Sequence, residues 1–83
     1  MKQQNVKISD GRIALLDSHV IHQPDDAHGQ IVGFYFDDTT SKWILEVEAL
    51  TVNRRTASWA STCERRLWPA EDCISLETWR QTL

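Results

Sequence analysis

The sequence predicts an all-β fold, a small barrel of about five antiparallel strands with a short C-terminal helix, on three observations. Residues Gly29 to Ala49 read as one β-hairpin: Gly-Gln-Ile-Val-Gly-Phe-Tyr-Phe, an Asp/Thr/Ser/Lys break, then Trp-Ile-Leu-Glu-Val-Glu-Ala. Short apolar runs elsewhere are separated by polar turn clusters, and helical spacing is confined to the last residues. At 83 residues the chain is a single domain that buries only about 60% of its unfolded surface, so its core is small.

The polar start, Met1 to Lys7, reads as a flexible arm, and the globular domain as residues 8–83. Ser9-Asp10-Gly11 is a turn signal, and Arg12-Ile13-Ala14-Leu15-Leu16 is a strand candidate ending at Asp17 or Ser18. From Ser18 to His28 only Val20-Ile21 is apolar, which reads as a long loop or a weak strand followed by a loop, with a turn at Pro24-Asp25-Asp26. Gln30 to Phe36 is rich in β-branched and aromatic residues and makes a central strand; Gly33 inside it marks a bulge or a close backbone approach.

Asp37 to Ser41 supplies the next turn. Trp43, Leu45 and Val47 then alternate with Ile44, Glu46 and Glu48, the period of a half-buried strand with the first set inward. Thr51 to Thr56 reads as a projecting loop and Ala57 to Thr62 as another strand. Arg66-Leu67-Trp68, a single helical turn opened by Pro69, and a last strand Cys73 to Leu76 would close the barrel. Leu76, Trp79 and Leu83 are spaced to share one face of a helix over 77–83 that is too short to stand undocked. This element order points to an SH3-like barrel, with an OB-fold as the alternative.

Charge and composition narrow the function classes. A formal charge of −3 and a pI near 5.5 disfavour general nucleic-acid binding, which requires phosphate neutralisation. No apolar run reaches the roughly 18 residues of a membrane span, and the start lacks a signal-peptide core, so a cytoplasmic protein with no membrane role is expected. In that compartment Cys63 and Cys73 are expected to be reduced, buried and small, without a C-x-x-C spacing. With so small a core, self-association into a homo-oligomer is the expected supplement.

Gly29 to Tyr35, Glu46 to Ala49, the Trp68-Pro69-Ala70 junction and the closing apolar strand, about half the chain, resemble the plasmid-borne, trimethoprim-insensitive type II dihydrofolate reductases. The resemblance implies an SH3-like barrel that assembles as a tetramer around a pore. In that family a Val-Gln-Ile-Tyr motif before the proline and a lysine in the first strand carry catalysis. Here the motif falls on Arg65-Arg66-Leu67-Trp68 and the lysine position at or beside Leu15, so the resemblance carries over the scaffold and no catalytic residue. Arg66 would also bring like charges together in such a pore.

His19, His22, Asp25, Asp26 and His28 are metal-ligand types, but their spacing alone describes a solvated loop and no metal is assigned. Asp17-Ser18-His19 holds the residue types of a hydrolase triad without the geometry, and Glu46 and Glu48 read as an outer face. The remaining signal is four tryptophans interleaved with arginines. Trp43 and Trp68 are expected in the core, whereas Trp59, Arg54, Arg55, Arg65 and Arg66, with Trp68 beside them, form the candidate binding surface, since Trp and Arg dominate binding hot spots. The expected function is a non-catalytic, cofactor-free binding or regulatory module for a protein partner, associated by analogy with mobile elements. The alternatives are a diverged pteridine- or nucleotide-binding enzyme and a nucleic-acid-binding accessory protein.

Overall fold

The structure, a computed structural model, describes residues 5–82. Five antiparallel strands make one sheet: β1 (His19–His22), β2 (Ala27–Asp37), β3 (Lys42–Asn53), β4 (Ser58–Pro69) and β5 (Cys73–Ser75). A 3-10 turn (Ala70–Asp72) joins β4 to β5, and α1 (Leu76–Gln81) ends the chain. The strand order is β4-β3-β2-β1-β5, so β4 and β5 are edges and the sheet curls like a barrel without closing. The all-β class, the turn at Asp38 to Ser41 and the closing turn before β5 are as the sequence predicts.

The long hairpin forms because Phe34↔Leu45, Ile31↔Val47 and Leu45↔Trp68 register apolar residues across three strands on one face. That face holds the main core, with Val20, Ile31, Leu45, Val47, Trp68 and Cys73 buried against Val6, Ile8 and Ala14 of the N-terminal segment. Trp43 packs on its margin, edge-on to Phe34 and Phe36. A bulge falls between Ile31 and Gly33, where the glycine signals it.

The opposite face carries a second buried layer. Ile21 pairs with both His28 and Ile74 and is fully buried, while α1 packs on β1 and β5 over it. Ser75 caps α1, its side chain accepting from the Thr78 N–H, and Asp10 accepts from the Ser75 N–H and from both hydroxyls. Partial burial pushes the Asp10 carboxyl up, but these hydrogen bonds and one from the Arg12 N–H outweigh it and hold the pKa at about 2.

Four expectations need correction, and one pair of alternatives is decided. Val6, assigned to the arm, is 1% exposed in the core, and the Ala14 N–H bonds its carbonyl; Met1 to Gln4 lie outside the described residues. Arg12 to Leu16 makes a single bridge, Ile13 to Lys7, and leaves Ile13, Leu15 and Leu16 exposed instead of forming a strand. Of the two readings of Ser18 to His28, the weak strand followed by a loop holds: β1 places His19–His22 between β2 and β5, and residues 23–26 turn. Thr51 to Asn53 continues β3, because Val52 pairs with Trp59, and only residues 54–57 turn. Cys73 is buried, and burial with Asp72 and Asp25 nearby raises its thiol to about 12; Cys63 is exposed on the outer strand, and both are free.

Candidate functional site

On its second face the sheet brings together two histidines and two tryptophans from four elements. The alternation of β1 and β2 turns His19 and His28 to the same side, where His19 Nε2 and His28 Nδ1 lie 2.7 Å apart. The ring of Trp59, from β4, stacks on His28 at 4.0 Å and 18°, and Trp79 of α1 meets it edge-on at 4.6 Å. His19 is also edge-on to Trp59 at 5.0 Å. His28 is thereby 8% exposed, the one buried polar or charged residue among those described.

Trp59 reaches His28 because the distal hairpin bends back. Registers Glu48↔Arg65 and Leu50↔Ser61 leave residues 62–64 opposite Ala49 alone, a bulge in which Cys63 takes φ 62° and the Thr62 hydroxyl donates to the Ala49 carbonyl. Such a bulge sharpens the twist of the two strands, and Trp59, on the same side as Leu50 and Ser61, is carried over β2.

Burial first, then the neighbouring His28 and Arg80, hold the His19 imidazole down at about 4. Burial lowers His28 as well, with Asp26 opposing. Both rings are therefore neutral at pH 7, one donating its N–H to the other.

Below the bent hairpin runs an open groove of about 440 Å³. Leu50, Val52 and Trp59 give it an apolar wall, and Asp25, Asp26, Glu64 and Arg66 a charged rim. Of the residues expected to bind, Trp59 and Arg66 share this groove. Arg66 is bonded to Glu64 at 3.0 Å, and Arg65 stands 3.8 Å from Glu48, which also accepts from Ser61. Arg54 and Arg55 occupy the exposed hairpin tip, and Trp68 is buried in the main core, its face stacked on His22 at 5.0 Å. The six residues do not converge on one surface.

His22 bonds Asp25 at 2.9 Å and lies on the side of the sheet opposite His19 and His28, so the histidines do not form one set. Among the described residues no three His, Cys, Asp or Glu side chains are placed to hold a metal ion. The positions matching the reductase motif are Arg65, Arg66 and Leu67, all exposed on an edge strand, and the buried Trp68; Leu15 is 61% exposed. Reading the sequence missed the site's centre: His19 and His28, nine apart, carried no signal beyond ligand-type composition. Period-2 alternation on both sides of Pro24-Asp25-Asp26 could have placed them on one face. Comparison with family models, curated proteins and solved structures finds no match to this chain.

Proposed function

We propose that this chain is a small non-catalytic binding module that takes an extended segment of a protein partner into the groove beside Trp59 and Arg66. The observation that carries the reading is the groove itself, in which an aromatic wall stands next to acidic and basic groups within one concave surface. An apolar side chain of the partner packs on Trp59, a basic one meets Asp26 and an acidic one meets Arg66 on the rim. The exposed Ile13, Leu15 and Leu16 support self-association at a separate place, beside a groove of about 740 Å³ between the N-terminal segment and α1. Two free thiols support a reducing, cytoplasmic compartment. The likeness to the type II reductases we read as one of scaffold.

Selection of a phage-displayed peptide library on the immobilised protein tests this reading. Enriched peptides should bind the wild type and lose at least tenfold in affinity to Arg66→Glu, which reverses charge on the exposed rim. Failure to enrich any sequence, or peptides that bind Arg66→Glu equally well, would contradict it. NADPH and dihydrofolate titrated against tryptophan fluorescence should give flat traces; a saturable response would favour the enzyme alternative.

A further inference from the structure

The imidazole pair stands where three pieces of the fold meet: the hairpin tip beyond the 62–64 bulge, the β1–β2 pair and α1. We infer that His19 and His28 form an acid-released latch on the distal hairpin, holding Trp59 down while both rings are neutral and letting residues 51–60 swing outward about the 62–64 bulge when they are protonated. The latch belongs to the free protein and needs no partner.

The geometry supplies both halves of the device. A nitrogen separation of 2.7 Å needs one ring to donate and the other to accept, so a doubly protonated pair loses the bond and sets two cations in contact. Around His28 there is little to stabilise a charge. Ile21 of β1 and Leu50 of β3 flank it with apolar groups, and Trp59 and Trp79 cover it.

The charged groups nearby are mostly engaged or unhelpful. Arg80 of α1 opposes charge on His19, and Glu77 of α1 is bonded to Arg12 at 2.9 Å. Glu64 and Arg66 of β4 pair with each other, and Asp25 of the β1–β2 turn pairs with His22. Asp26 in that turn is the carboxylate that favours a charged His28, and burial outweighs it. The easiest relief for a proton entering the pair is to lift Trp59 and admit water.

The hairpin moves because the other pieces are tied elsewhere. Asp10 grips Ser75 and Thr78 at the start of α1 and keeps its charge down to about pH 2, so α1 stays docked where the histidines titrate. The main core lies across the sheet and includes neither histidine. At the hinge, Cys63 holds a left-handed backbone and Ala49 faces three residues, so pairing is already interrupted there.

The sign follows from the lowered imidazoles. Both take up protons more readily in the open form, so latch strength is full above about pH 6.5 and falls as pH drops toward about 4. Within that window the open-to-closed ratio rises by up to tenfold per pH unit for each proton taken up.

The experiment is a heteronuclear NMR titration of the free protein from pH 7.5 to 4, following the tryptophan indole N–H groups, the imidazole nitrogens and the backbone amides. The Trp59 indole and the amides of residues 51–60 should shift along one curve with His19 and His28, while the Trp43 indole, which packs on Phe34 and Phe36, and the amides of Leu45 and Val47 keep their folded positions. His28→Phe, which keeps a ring under Trp59 and removes its charge, should reduce the pH response of the Trp59 indole at least fivefold. Trp59 resonances that ignore the imidazole titration would overturn the inference, as would loss of Trp43 and Trp59 signals together, or a His28→Phe response equal to the wild type. Should His28→Phe not fold, the wild-type comparison of Trp59 with Trp43 decides alone.

Discussion

A buried Trp68 needs a missing side chain across from it. A Cβ added at Gly29 would stand 2.9 Å from the Trp68 ring and 3.0 Å from Val47 Cβ, both in the rigid core. Gly29→Ala should therefore cost about 1–3 kcal/mol in urea unfolding, the range for overpacking a core. At Gly33 the nearest atom is the Glu46 carboxylate at 3.3 Å, the end of a flexible side chain, and Gly33→Ala should stay within about 0.5 kcal/mol of wild type. Equal costs at the two positions would contradict this packing. The sequence signalled Gly33, because a glycine inside an apolar strand stands out; Gly29 reads only as the start of the hairpin, with no packing demand attached to it. Its requirement comes from a residue 39 positions away, and no local pattern reports that distance.

At the scale of elements, the same division separates what local pattern reports from what tertiary contact decides. The hairpin of β2 and β3, the proline-led turn and β5 were legible because alternation and turn residues act within a few positions. The N-terminal segment was misread because Val6 is a lone apolar residue among polar ones, and Ile13, Leu15 and Leu16 form an apolar run that stays exposed. Helix α1 shows how a marginal element is held by a distant one. Six residues cannot form a stable helix in water, and Asp10 anchors it through Ser75 and Thr78. Asp10→Asn should destabilise the protein at pH 7 by about 1–3 kcal/mol, the scale of hydrogen bonds to a charged group. The wild-type advantage is full above the ordinary carboxylate value near 3.8 and fades as pH falls toward about 2. Urea midpoints that separate at pH 7 and converge near pH 2 are the expected outcome; midpoints separated equally at both would show that the charge is irrelevant.

For the whole molecule, the decisive feature is that one sheet buries apolar groups on both faces. The first face is the expected core. The second exists because the 62–64 bulge bends the outer hairpin back over β2, and this bend builds the groove shared by Trp59 and Arg66. Half of the candidate site was named from composition, since Trp and Arg are binding residues wherever they are exposed. Its histidines were named only as metal-ligand types, and Trp68, expected both in the core and beside the binding surface, belongs to the core, since its burial depends on how the sheet coils. The extents of 44 × 27 × 25 Å describe an elongated body with Arg54 and Arg55 at the exposed hairpin turn. Everything proposed for the groove and the latch requires Trp59 to lie on His28. A nuclear Overhauser spectrum at pH 7.5 tests that contact most directly. Ring centres at 4.0 Å predict strong cross-peaks between the Trp59 indole and the His28 imidazole. A Trp59 ring that contacts only its own hairpin would contradict the account.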